Sequence, residues 1–289
     1  MADNRGWGRE GESDAERRKR HRKFWRGVAR AFGGAIFFSL PLLMTMEMWW
    51  LGFYMDRARL ALFMVVIIPV LVGLDRFSGF TEASTWLDDV VDAFVAYGVG
   101  IVSSVFVLVL FNVLNTDMPL REWVGKVALQ AIPASFGAVL ASSQLGGEVE
   151  REKEEREENA GYAGELFLML AGAIFFAFNV APTEEMVLIA VRMTAWHAVL
   201  LAIVSLAIMH AVVYAVEFRG AHAHPEGSTI AGIFFRFTVA GYAIALLVSA
   251  YVLWTFGRYD PGAYASFVMQ TMVLGFPAAL GAAAARLII

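Results

Sequence analysis

Polar and charged positions interrupt this chain at only a few places. Between them lie apolar runs near residues 31–54, 59–74, 90–114, 123–143, 165–191, 196–216, 230–256 and 264–289. Most are close to the ~20 residues an α-helix needs to cross a ~30 Å hydrocarbon core. The second is short and is extended by tilt or by snorkelling of Arg59. Inside a bilayer each span must satisfy its own backbone, and the ~10-residue alternation of a closed barrel is absent. The pattern therefore predicts an all-α polytopic transmembrane bundle of about eight helices.

Composition agrees. The 289 residues are 58% hydrophobic and 17% charged, with a mean hydropathy of +0.60. Soluble domains run nearer ~45–50% and ~25%. There is no cysteine, which excludes disulfides, thiolate catalysis, Cys-ligated zinc and iron–sulfur clusters. The net charge of -4 is uninformative, because charge is segregated into a basic tail, residues 1–30, and a charged linker, residues 146–163. Ten of the 23 Lys and Arg lie in that tail. With the N-terminus inside, 17 fall on the inner side and six on the outer, so both termini are expected in the cytoplasm of a bacterial inner membrane. The run Arg17-Arg18-Lys19-Arg20-His21-Arg22-Lys23 reads as a solvated tail against anionic lipid, not as a nucleic-acid site. It lacks the apolar centre of a cleaved signal peptide. Residues 79–92 read as an amphipathic helix on the inner face. The linker reads as a solvated helix or hinge, since it has nothing to bury.

The chain repeats itself. Gly34-Ala-Ile-Phe-Phe38 recurs as Gly172-Ala-Ile-Phe-Phe176, 138 positions on, and at that offset Glu47-Met48 falls on Glu185-Met186 and Met55 on Met193. Pro133-Ala134 with Gly137-Ala138 recurs as Pro277-Ala278 with Gly281-Ala282, 144 positions on. Two four-helix repeats, residues 31–145 and 164–289, are implied. An even number of spans returns the chain to its starting side, so the repeats are parallel, with a pseudo-twofold axis expected along the membrane normal.

Duplication singles out Glu47 and Glu185, with Glu184 beside the latter, placed by this reading in the outer half of the bilayer. An ionisable group there costs at least ~2.5 kcal/mol and by default faces a pathway. Two carboxyls approaching each other would share a proton or hold a cation. The plainer alternative is interfacial glutamates satisfied by Arg57, Arg59 or Arg192. Pro41 and Pro182, helix-kink candidates with Pro133 and Pro277, free backbone carbonyls near the glutamates. Thr45, Asn179 and Thr183 add neutral oxygens suited to a hard cation. Asn112, Asn115, Gln130 and Gln270 read as helix-joining residues, and Gly34 and Gly281 as close helix contacts. His210 with Tyr214 is a candidate proton relay, against a packing histidine. His222 and His224 make a poor metal site. Nucleotide-binding, hydrolase and metalloprotease motifs are absent, so no enzyme and no cofactor is expected.

The length, the duplicated Gly-Ala-Ile-Phe-Phe segments and the acidic linker resemble an uncharacterised family of bacterial integral membrane proteins, a domain of unknown function, which implies no activity. From Phe32 to Glu47 the first span is similar to the opening, pore-lining helix of the endolysosomal-type potassium channel family. Gly33-Gly34 stand where that family has a polar pair, and each repeat has four spans instead of six. That resemblance implies that the first and fifth helices surround a pathway. The expected function is a channel or transporter for a monovalent cation or proton, embedded in lipid as a homodimer and without nucleic acid. The alternative is a non-transporting structural or signalling protein whose tail and linker recruit a cytosolic partner.

Overall fold

The computed structural model describes residues 14–78, 86–144, 150–218, 232, 234–259 and 264–288. These form α1 (Asp14–Leu43), α2 (Met46–Tyr54), α3 (Arg57–Ser78), α4 (Trp86–Leu110) and α5 (Leu120–Gln144). The second half forms α6 (Glu150–Val180), α7 (Glu184–Arg192), α8 (Ala195–Phe218), a π-helical turn (Phe234–Val239) running into α9 (Ala240–Thr255), and α10 (Tyr264–Ile288). No strand occurs among the described residues. Among the described residues seven helices are long and apolar enough to cross a membrane, and α1 with α2, as a bent pair, makes an eighth. The protein is an all-α polytopic membrane bundle.

The first and fifth spans are not the continuous helices expected over 31–54 and 165–191. The first runs over Phe24–Leu43 and stops, and α2 leaves it at 86°. The fifth breaks between Val180 and Glu184. Both breaks fall beside prolines, Pro41 and Pro182, whereas α5 and α10 run on through Pro133 and Pro277. Residues 79–85 of the expected surface helix lie outside the described residues, and Trp86 to Asp92 form the first turns of α4 instead. Part of the charged linker is the start of α6. The helix there departs from helical geometry at Gly161, whose φ of 59° is left-handed and natural only to glycine.

The duplication is visible in the packing. α1 packs on α4 and α5 as α6 packs on α9 and α10, and α2 and α3 pack on α5 as α7 and α8 do on α10. At the crossing of α1 with α5, a Cβ on Gly34 would meet the Gly137 carbonyl and the Cβ of Ala141. At the crossing of α6 with α10, a Cβ on Gly172 would meet the Gly281 carbonyl and Ala285. The same glycine pair seats both crossings.

The repeats themselves meet through unlike faces, so a pseudo-twofold does not relate them. α3 and α5 of the first receive α6 of the second, and α3 also touches α9. Phe63, fully buried, stacks on Phe178 at 5.4 Å and meets the Tyr251 ring edge at 5.8 Å. Arg59 bridges this junction, contrary to the snorkelling expected of it. It donates to the Trp254 carbonyl at 3.0 Å and lies 5.0 Å from that ring's centre.

Candidate functional site

At the end of the bundle where α2 crosses α1, the break after α1 exposes carbonyls that side chains then satisfy. Gln130 Nε2 donates to Leu42 O at 3.0 Å and Trp49 Nε1 to Leu43 O at 2.8 Å. At the second break the donor is Arg258, whose Nε reaches Ala181 O at 3.3 Å and whose Nη2 reaches Pro182 O. The two repeats thus cap the same break with different residue types. Arg258→Ala leaves these carbonyls unpaired and is expected to cost about 1.5–3 kcal/mol, read as a lowered thermal midpoint of the detergent-solubilised protein.

Glu47 lies in the first turn of α2, half-buried, and Glu184 and Glu185 lie exposed in the first turn of α7. Because α2 runs across the end of α1, Glu47 is at that end of the bundle, not along a span. At helix N-termini these carboxylates complement the helix dipole. Among the described residues no hydrogen bond or ion pair joins Glu47 to Glu184 or Glu185. Thr45 Oγ1 donates to Pro41 O at 2.5 Å, Thr183 Oγ1 to Val180 O at 2.8 Å and Asn179 Nδ2 to Phe175 O at 2.7 Å, all within their own helix ends. Their oxygens remain able to accept. α2 and α7 also present Trp50, Phe53, Leu188 and Val191 outward, as interfacial helices do.

His210 Nδ1 lies 3.1 Å from Thr238 Oγ1, with its ring edge-on to Phe234 at 5.2 Å. The Tyr214 side chain and His222 with His224 lie outside the described residues. Among the described residues no group of three His, Asp or Glu converges as a metal site.

A second acidic site lies at the opposite end of the first repeat. Asp75, in the last turn of α3, is 4% exposed. It lines a cleft of about 200 Å³ with Asp92 of α4, beside Phe24, Val28 and Ala31 of α1. Asp89 is also buried, but it is held by Arg76, whose Nη1 lies 3.2 Å from Asp89 Oδ2. No hydrogen bond or ion pair to Asp75 is formed by any described residue. A buried carboxyl with no partner among the described residues needs a proton or a cation to balance it. The sequence reading missed this site because Asp75 ended a span and Asp89 and Asp92 were assigned to a surface helix. The available signal was an acidic residue directly following the second apolar run, with two more at the start of the third.

In the second repeat Tyr162 stands 138 positions after Phe24. The Arg236 guanidinium lies 4.4 Å from the centre of the Tyr162 ring, and Tyr162 Oη donates to Arg236 O at 2.8 Å.

No curated protein matches the chain. No solved structure matches it either. Residues 27–289 match one family along nearly their whole length, and the chain belongs to it: the family described as "Putative integral membrane protein (DUF2391)".

Proposed function

We propose that this membrane protein moves a monovalent cation or a proton across the bilayer, as a channel or transporter without enzymatic activity. The single observation that carries the reading is Asp75, a buried carboxyl within a span, without a hydrogen-bond or ion-pair partner among the described residues, opening on a cleft shared with Asp92. A structural role would favour a neutral residue or an ion pair there, since an uncompensated charge is costly. In this reading Glu47, Glu184 and Glu185, with the oxygens of Thr45, Asn179 and Thr183, form the acidic outer approach. Asp75 and Asp92 form the inner stage. His210 is available between helices as a relay. The protein acts as a homodimer in a bacterial inner membrane with both termini cytoplasmic.

The test is flux of protons and a panel of monovalent cations into liposomes holding the purified protein. Asp75→Asn preserves shape and removes the charge. It is expected to lower flux at least about tenfold, equivalent to ~1.4 kcal/mol. A smaller loss is expected for Glu47→Gln with Glu185→Gln, whose carboxylates are more exposed. Unchanged flux in Asp75→Asn would remove the site from the reading, and no flux by the unaltered protein would remove the reading itself.

A second reading, recruitment of a cytosolic partner, draws on the charged helical start of α6, set off from its span by the left-handed Gly161. It predicts that deleting residues 148–158 abolishes function while flux is absent throughout.

A further inference from the structure

The junction between the repeats is heterologous, and each repeat carries the complement of the face the other has used. Within the chain α6 seats on α3 and α5, and α9 touches α3. The counterpart pairings, α1 on α8 and α10 with α4 on α8, form no comparable packing among the described residues. Burial follows suit, position by position. Phe178, at the junction, is 1% exposed, while its counterpart Leu40 is 38% exposed. Phe175 packs between Phe38 at 5.9 Å and Phe136 at 6.1 Å, while its counterpart Phe37 is 73% exposed. Of the apolar span in α3, 39% is buried, but only 17% of that in α8, where Leu201, the counterpart of the fully buried Phe63, is half-buried.

We propose that a second copy of this chain occupies these faces head to tail, α1 and α4 of one copy seated on α8 and α10 of the other. The occupant is identified by continuity with the existing junction. A surface that fits α6 and α9 is repeated at α8 and α10, and what fits it, the α1 and α4 of another copy, is present in the same membrane with the same axis along the normal. Two copies use the interface twice more and close a ring of four alternating repeats. An unclosed heterologous contact would instead propagate. This deepens the homodimer named above but rests on the repeat geometry alone, so a flux result leaves it standing and a linking result leaves the ion site standing.

The cysteine-free chain allows a direct test in membranes. The contact of Phe38 with Phe175 within one copy predicts a contact of Phe176 in one copy with Phe37 in the next. Differently tagged full-length chains, one carrying Phe37→Cys and the other Phe176→Cys, are co-expressed and treated with a short bifunctional thiol reagent. Both side chains are exposed, so the fold tolerates the change. The expected result is a mixed-tag species of twice the 31.8 kDa chain mass, formed by neither variant alone. Phe38→Cys with Phe175→Cys in one chain is the reagent control, read as an intramolecular link. Absence of the mixed species while the control links, which would leave lipid as the occupant, overturns the proposal. So does self-linking of Phe37→Cys alone, which would indicate a symmetric face-to-face contact.

Discussion

Replacing Gly34 or Gly172 with leucine is expected to abolish recovery of folded protein, whereas leucine at the adjacent Gly33 is expected to be neutral. Gly34 and Gly172 sit where two helix backbones touch. The obstacles a Cβ would meet include the Gly137 and Gly281 carbonyls, which have no rotamer by which to withdraw. Nothing lies within 4 Å of a Cβ on Gly33. Overpacking in a core costs about 1–3 kcal/mol when side chains can adjust, and more when backbones must part. Since small residues are what allow close helix approach in lipid, the change removes the α1 crossing on α5 or the α6 crossing on α10 altogether. The measurement is the monodisperse fraction in detergent and its thermal midpoint. Comparable recovery of Gly33→Leu and Gly34→Leu would mean the crossing is looser than the structure has it.

The second large effect concerns an ion pair held by one repeat and not by the other. Lys126 Nζ lies 2.7 Å from Glu122 Oε1 one turn away, with both side chains largely covered. Gly52 packs directly on the Lys126 backbone and stem, leaving the lysine little room to reach water. Their counterparts in α10 are Ser266 and Gln270, and Gln270 Nε2 donates to Ser266 Oγ at 2.9 Å. Removing one charge leaves the other covered and alone, and Glu122→Ser by itself is expected to cost roughly 3 kcal/mol. The double change Glu122→Ser with Lys126→Gln writes the second repeat's solution into the first. It is expected to fall within about 1 kcal/mol of the unaltered protein, because a matched neutral pair replaces a matched charged one. Thermal unfolding of the three variants is the check. A double variant as damaged as the single one would show that the charge itself, not its pairing, is required there.

Much of the architecture is legible without coordinates, for identifiable reasons. Spans are legible because a bilayer of fixed thickness imposes one length on all of them. The repeat is legible because Gly34 and Gly172, Gly137 and Gly281 are constrained by the same close crossing, so the letters persist. The breaks after α1 and α6 were signalled by Pro41 and Pro182, but not where the chain would go afterwards. A proline states only that one hydrogen bond is missing. That α2 turns through 86° and carries Glu47 to the end of the bundle depends on Gln130 and Trp49 taking up the freed carbonyls, contacts made across the fold. The acidic cleft at the other end was illegible for a related reason. Asp75, Asp89 and Asp92 look alike in the chain, and only packing leaves Asp89 with Arg76 and Asp75 with no partner among the described residues.

By itself the sequence determined that this is a helical membrane protein with duplicated segments, because hydrophobic length and backbone satisfaction in lipid are local requirements that each segment meets alone. The tertiary structure decided which glycine of a pair lies in a crossing, which acid an arginine holds, and that the repeats join through unlike faces. Those are properties of surfaces meeting in space, and identical letters acquire different energies according to what stands opposite them.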